Sequence, residues 1–364
     1  MDNKFSYNIH ESFMARALEL SKQGVGFVSP NPLVGCVVVK NGEIIGEGFH
    51  EKYGDFHAEV MAYKNSIKDP TDSTMYITLE PCCFKGKTPP CTKFIIENGI
   101  REVYISMEDP NPKVSGMGIR ELEQRGIRVH LGLLREESKW LNRGYVKLIT
   151  TNRPWVIAKV AQSENKFLGL DSNSRIDITG DEAKFHSHEL RKNVDAIMVG
   201  RQTALIDNPQ LTVRHIKGKN PARVILDTHR KLPLTLNIFN DNETHTIILC
   251  SKRNFEKSST SFAKYIPIEE DESGKLSLGN ILDVLGKEGI AKVLIEGGAE
   301  LLNSFKKEDL IDEMHIYTSM SKLDNATLRN PLVIDDDWNI EEKLKLGDDN
   351  LVIATRKTEC LQEL

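Results

Sequence analysis

The sequence predicts an α/β protein of two domains, and three observations carry that prediction. Short apolar runs of strand length alternate with segments of helical periodicity along the chain, the order that folds into a sheet covered by helices. At 364 residues the chain exceeds one typical domain and has room for two cores. Around Thr150-Thr151-Asn152-Arg153-Pro154 the sequence turns polar and breaks at a proline, which places a boundary between domains 1–150 and 151–364.

The elements follow in order. Ile9, Phe13, Ala17 and Leu18 have the spacing of an amphipathic helix. Residues 33–39 and Ile44-Ile45 read as a hairpin, because Asn41-Gly42 can take the positive φ angles of a two-residue turn. His57 opens a helix, and residues 74–78 form a strand ending at Glu80-Pro81. A helix over about 91–98 stops at Gly99, a strand follows at 103–106, and one helix over 140–149 closes the first domain. The second domain begins with a strand at 155–160 and a helix over about 181–192 capped by Thr179 or Asp181. Strands are expected at 196–199, 223–226, 246–249, 293–295 and 314–317, and a helix over about 300–305. The stretch 251–275 is polar and predicts no element.

A net charge of −5 offers no basic footprint for nucleic acid, whereas a small anionic metabolite stays compatible because local Lys and Arg can serve it. No apolar run approaches the roughly 18 residues of a membrane span. The N-terminus has no basic segment followed by an apolar one, so no secretory leader is expected. Outside the metal set described next, Cys36, Cys83, Cys250 and Cys360 show no disulfide framework. A cytoplasmic protein that engages neither nucleic acid nor membrane is the expectation.

The chemistry is concentrated in His57-Ala58-Glu59, Pro81-Cys82 and Cys91. One imidazole and two thiolates suit a zinc ion that keeps a fourth position for water, which then ionises near neutral pH. A nearby carboxylate that is not a ligand can move the water's protons in turn to a substrate ring nitrogen and to the departing ammonia. His57, Cys82 and Cys91 fit the ligands and Glu59 the carboxylate. Adjacent Cys83 competes with Cys82; Cys82 is preferred because it follows the proline. The cysteines are separated by eight residues (83–90), not the two of the general deaminase signature. The bland readings are a surface histidine at a helix start with ordinary buried thiols, or a zinc-stabilised binding protein in which Glu59→Gln changes nothing.

Asn31-Pro32-Leu33-Val34-Gly35-Cys36, Gly46-Glu47-Gly48-Phe49-His50, the His57 and Cys82 motifs, Gly86-Lys87-Thr88-Pro89-Pro90-Cys91 and Asp109-Pro110-Asn111-Pro112 together resemble the deaminase half of the bifunctional riboflavin-biosynthesis deaminase-reductases. The resemblance implies a cytidine-deaminase-like three-layer domain with zinc, acting on a diaminohydroxy pyrimidine that carries phosphoribosylamine. It implies that Asn31, His50 and Lys87 contact this substrate. Where the family usually has Ser-His after the first cysteine, this chain has Cys83-Phe84, so a substrate-facing hydrogen bond is expected to be replaced by stacking or lost.

In the second half, Glu296-Gly297-Gly298-Ala299 follows an expected strand and precedes a helix, an arrangement that can cradle a phosphate but that also occurs as a simple strand-to-helix turn. A three-glycine Rossmann fingerprint is absent. The segments Leu190-Arg191 and 203–214 resemble the reductase half of the same family. That implies a dihydrofolate-reductase-like α/β domain that reduces the ribosyl group to ribityl with NADPH. By position, Lys159, Arg191, Leu211, Arg214 and Glu296 would meet the substrate, with Arg191 and Arg214 near its phosphate. Ala161, Thr203, Asp207, Gly297 and Gly298 would meet NADPH. Two departures favour the alternative of an active deaminase with a non-reducing second domain. The family's Ser-x-Asp-Gly is Ser163-Glu164-Asn165-Lys166 here, and its Trp-Ile-Thr is Asp177-Ile178-Thr179. A homo-oligomer is compatible with the resemblance.

Overall fold

The computed structural model describes residues 9–86, 88–169, 176–256 and 263–357. The chain forms two compact units, Met1–Thr151 and Asn152–Leu364.

In the first unit, strands β1 (Gly35–Lys40), β2 (Glu43–Phe49), β3 (Thr74–Leu79), β4 (Glu102–Met107) and β5 (Arg128–Leu131) form one sheet in the order β2-β1-β3-β4-β5. The β1–β2 hairpin is antiparallel and turns at Asn41 and Gly42, whose φ angles are 53° and 81°. β3, β4 and β5 run parallel, so helices must cross over between them. The helices are α1 (Ile9–Ser21), α2 (Ala58–Lys64), α3 (Cys91–Glu97), α4 (Met117–Gln124), α5 (Arg135–Leu141) and α6 (Arg143–Thr151). Met14, Ala17 and Leu20 of α1 pack with Val37, Val39 and Tyr76 on one sheet face. Ala58 and Ala62 of α2 and Ile95 of α3 pack with Cys36, Val38 and Ile77 on the other. The result is three layers. Close approach depends on glycine: a Cβ at Gly35 would lie 1.9 Å from the Ala17 carbonyl oxygen, and one at Gly48 2.3 Å from the Ala62 nitrogen.

The single helix expected over 140–149 is two, α5 and α6, interrupted at Asn142. The Asn142 side chain accepts from the Leu33 N–H at 2.8 Å and donates to the Leu33 carbonyl at 3.0 Å. Satisfying a distant buried backbone segment outweighs helix continuity there.

In the second unit, β6 (Trp155–Gln162), β7 (Phe167–Gly169), β8 (Ala196–Gly200), β9 (Ala222–Leu226), β10 (Thr246–Ser251), β11 (Lys264–Ile268), β12 (Lys292–Ile295), β13 (Glu313–Thr318), β14 (Leu328–Arg329), β15 (Trp338–Leu346) and β16 (Asp349–Arg356) are joined by α7 (Asp181–Lys192), α8 (Arg201–Asp207), α9 (Asn237–Asn240), α10 (Leu278–Lys287) and α11 (Ala299–Lys307). Nine strands form one sheet, β11-β10-β9-β8-β12-β6-β13-β16-β15, while β7 and β14 pair separately. From β11 to β13 neighbours are parallel; β16 and β15 join antiparallel. Two apolar clusters cover the two faces of the parallel part, one carrying Ile281, Leu285 and Phe305, the other Leu190, Val194 and Phe239.

Three expectations are corrected here. Strand β11 lies within the stretch read as structureless, and the β15–β16 hairpin had no expected counterpart. β15 exposes most of its side chains, so its alternation is not written in hydrophobic residues. The N-cap of α7 is Gly180, not Thr179 or Asp181, and its N–H is held by the Asp349 carboxylate at 2.7 Å.

Candidate active sites

In the first unit, His57 is the N-cap residue of α2, Cys91 opens α3, and Cys82 follows β3. The ends of three elements thus converge. The ligating atoms of His57, Cys82 and Cys91 lie within 4.8 Å of one another. His57 Nδ1 is 3.1 Å from Cys91 Sγ and 3.6 Å from Cys82 Sγ. A tetrahedral zinc with bonds of about 2.0–2.3 Å needs ligand atoms about 3.5 Å apart, so the set fits the ion. Thr88 Oγ1 lies 3.3 Å from His57 Nε2 and orients the ring from behind. Cys83 is not part of the set: its thiol points to the Lys113 carbonyl, 3.8 Å away.

The three groups are strongly coupled through their mutual hydrogen bonds. Hydrogen bonds from Cys91 and His57 draw the Cys82 thiol down to about 4. Its bond to Cys82, reinforced by burial, pushes Cys91 up. The Cys82 thiolate raises His57 to about 9. Metal would replace those protons, making binding pH-dependent. Glu59, one residue into α2, is 3 % exposed, and its Oε2 is buried with no hydrogen-bond partner among the described residues. Burial pushes its carboxyl up. An orphaned carboxylate oxygen beside a metal-binding triad is what a proton shuttle for a bound water requires.

The triad opens into a cavity of about 330 Å³ lined by Asn31, His50, Glu59, Phe84, Asp109, Asn111 and Tyr145 among others. His50 is locked: its Nδ1 meets the Phe56 carbonyl at 3.0 Å, and its Nε2 meets Asn31 Nδ2 at 3.0 Å. Burial lowers its pKa, so the ring is neutral and accepts from Asn31. Lys87 lies outside the described residues. Sequence reasoning gave no role to Asp109, which accepts from the Asn111 N–H (2.9 Å) and the Tyr145 hydroxyl (2.8 Å) and is pushed up to about 6 by burial. It also missed Glu80, whose carboxylate gathers the N–H groups of Asp109, Gly116, Gly118 and Ile119 and so shapes this wall. The Asp109-Pro110-Asn111-Pro112 motif was the available signal.

In the second unit, Lys159, Ala161, Arg191, Thr203, Asp207, Leu211, Arg214, Glu296, Gly297 and Gly298 all line one cavity of about 480 Å³. The Arg191 guanidinium is bound to Glu296 through Nε (2.8 Å) and Nη2 (2.7 Å), and to the Thr212 carbonyl through Nη1 (3.1 Å). Burial alone would raise Glu296; Arg191 and then Lys159 overcome it and hold the carboxyl at about 2. Lys159 itself is lowered by burial. Arg214 is exposed on the rim, with Nη1 bonded to Gln210. The Thr203 hydroxyl accepts from the Gly298 N–H at 3.2 Å, tying α8 to the start of α11.

A second cavity of about 400 Å³ shares Thr203 and Gly298 with the first and adds Arg201, Thr228, His229 and Lys275. The sequence offered little signal for it, because its residues come from four separate segments. The two departures in this half have structural accounts. Asn165 accepts from the Ser163 hydroxyl (2.7 Å) and from the Leu323 N–H (3.1 Å), and donates to the Leu323 carbonyl (3.0 Å). Lys166 takes the left-handed conformation, φ 66°, that a glycine there would adopt freely. Asp177 pairs with Lys184 at 3.3 Å and is not among the cavity's lining residues.

The cytidine and deoxycytidylate deaminase zinc-binding region matches residues 7–107, and the RibD C-terminal domain matches 154–319. The riboflavin biosynthesis protein RibD of Actinobacillus pleuropneumoniae is 36 % identical over 351 residues, covering 94 % of this chain and 92 % of the relative. That of Aquifex aeolicus is 37 % identical over 357 residues, covering 96 % and 99 %. Among solved structures, the Thermotoga maritima diaminohydroxyphosphoribosylaminopyrimidine deaminase/5-amino-6-(5-phosphoribosylamino)uracil reductase superposes with a TM-score of 0.86 at 34 % identity, covering 96 % of this chain and 99 % of that one. Acinetobacter baumannii RibD gives a TM-score of 0.87 at 32 % identity with the same coverage.

Proposed function

The chain belongs to the RibD family of riboflavin-biosynthesis enzymes, and from that premise we propose that its 330 Å³ and 480 Å³ cavities are the deaminase and reductase sites. The protein is a zinc-dependent hydrolase and an NADPH-dependent oxidoreductase. It deaminates 2,5-diamino-6-(5-phosphoribosylamino)pyrimidin-4-one and then reduces the ribosyl group to ribityl. No described helix is long and apolar enough to cross a membrane.

For deamination, zinc when bound supplies a Lewis acid that ionises water near neutral pH. His57, Cys82 and Cys91 would hold it. Glu59 would carry one proton of the attacking water to the ring nitrogen and then the second, from the hydroxyl left on the ring carbon, to the amine that departs as ammonia; its unpartnered buried oxygen is the observation that carries this role. Asn31 gives its N–H to His50, which leaves its carbonyl oxygen for the amino groups of the pyrimidine. Phe84, on the cavity wall, offers a face for stacking in place of the family's polar pair. Lys87 remains a candidate contact by position.

For reduction, Ala161, Thr203, Asp207, Gly297 and Gly298 would hold NADPH, which when bound would supply the hydride for the ribosyl group; Thr203 and Gly298 belong to both cavities. Arg214 on the rim would meet the substrate phosphate first. Arg191 stands behind it and is committed to Glu296. Lys159, Leu211 and Glu296 would border the ribosyl group.

Product mass spectrometry with zinc-loaded protein tests these assignments. Glu59→Gln should lower deamination by about 10²–10⁴-fold while sparing NADPH-dependent reduction of pre-deaminated substrate. Deamination that persists in this variant removes Glu59 from the chemistry.

A further inference from the structure

Lys159 is a half-buried lysine with a flexible stem at the reductase cavity, and nothing assigned so far holds it still. Glu296 gives both carboxylate oxygens to Arg191, and Lys159 forms no ion pair among the described residues. What does approach it is an aromatic face. The Lys159 Nζ lies 5.4 Å from the centroid of Tyr317, within cation–π range. The β6–β13 register explains the contact: His315 is directly opposite Lys159 and Tyr317 opposite Ala161, so the Tyr317 ring leans diagonally over the lysine.

The ring cannot swing away. Tyr317 is 1 % exposed and packs among Ala183, Leu351 and Ile353. Its hydroxyl is 2.8 Å from His186 Nδ1 on α7. The same helix carries Arg191, which fixes Glu296 on the other flank of Lys159. Two residues earlier on β13, His315 is bonded to Glu313 at 2.7 Å, and Glu313 takes the Trp155 indole N–H at 2.8 Å. The charged groups acting on the amine are Glu296, just after β12, and Arg191 on α7, and the Tyr317 ring of β13 lies over it.

We propose that Tyr317 is a positioning residue of the reductase: its ring, tethered through its hydroxyl to His186, sets where the Lys159 amine stands in the cavity. The inference rests on the assignment of Lys159 to the reductase site made above. It extends that assignment to two residues that do not line the cavity.

The test is steady-state reduction of pre-deaminated substrate across pH in the full-length, zinc-loaded enzyme, with NADPH binding by fluorescence as the check on folding. Tyr317→Leu should lower the reductase kcat about tenfold, leave KM within about threefold, and leave deamination unchanged. The limb of its pH profile that reports Lys159 should move to lower pH, because the ammonium loses its π partner. Tyr317→Phe keeps the ring but loses the tether, so its kcat should fall between those of the parent and Tyr317→Leu. His186→Leu should cost activity only while the hydroxyl is present, so its effect should vanish in the Tyr317→Phe background. That cycle decides the matter even if Tyr317→Leu does not fold. Wild-type kcat and an unshifted profile in Tyr317→Leu, or losses that multiply in the double variant, would overturn the proposal. Lys159→Met separates the two levels: reduction that survives it removes the underlying assignment, whereas its loss beside a normal Tyr317→Leu refutes the positioning role alone.

Discussion

Replacing Arg191 with methionine should destabilise the second unit and reverse the sign of its acid response. Both partners of the Arg191–Glu296 pair are buried, with side chains 14 % and 9 % exposed. The Glu296 carboxyl, ordinarily near 4.5, is held at about 2 although burial opposes this, because Arg191 and Lys159 favour the charged form. That depression is worth about 3 kcal/mol at neutral pH. Since the folded value lies below the unfolded one, the contribution is complete above pH 4.5 and disappears as pH falls through about 2. Removing the guanidinium forfeits it and strands a buried carboxylate, for a total cost of about 3–5 kcal/mol. The stranded carboxyl is then pushed up by burial, so its folded value exceeds the unfolded one and the variant gains stability as pH is lowered from 8 to 5. Amide exchange in β6 and β12, followed by mass spectrometry, reads the opening of this unit by itself. At matched pH, exchange in Arg191→Met should be about 100-fold faster or more, and Arg191→Met/Glu296→Gln should recover much of the loss. Exchange within about threefold of the parent would show that the pair contributes little and that the electrostatic reasoning is wrong.

Three further outcomes are expected. Cys82→Ser should abolish stoichiometric zinc binding measured by elemental analysis, because Cys83 faces the Lys113 carbonyl and cannot substitute; Cys83→Ser should retain one zinc per chain. Lys166→Gly should stabilise the second unit by up to about 1 kcal/mol and Lys166→Val should destabilise it by at least that much, since φ is 66° there; opposite signs in urea unfolding would refute the strain. Asn142→Ala breaks both bonds to the Leu33 backbone and should cost about 1–3 kcal/mol while raising the deaminase KM through the neighbouring Asn31. An unchanged KM would uncouple that brace from the site.

What the sequence by itself determined about this protein is what short-range physics encodes. Alternating apolar strands and helical segments specify an α/β chain. His57 and Glu59 stand two residues apart at a helix start, and Cys82 and Cys91 flank one loop, so the metal set is legible before any fold is known. Asn41-Gly42 writes its own turn. The family motifs added the roles of residues far apart in the chain, such as Lys159, Arg191 and Glu296, but not what those side chains do to one another. Only the tertiary structure decided that Arg191 closes on Glu296 across 105 positions, that Asn142 splits a helix to serve Leu33, and that Tyr317 leans over Lys159. Position after Pro81 already favoured Cys82 over Cys83, and the structure adds where the Cys83 thiol goes, to the Lys113 carbonyl. The β15–β16 hairpin escaped because an edge strand facing solvent needs no apolar alternation. The physical reason is common to all of these. Propensity and periodicity depend on neighbours within a few residues, whereas which buried charge meets which partner depends on sheet register and helix packing, quantities that exist only once the chain has closed on itself.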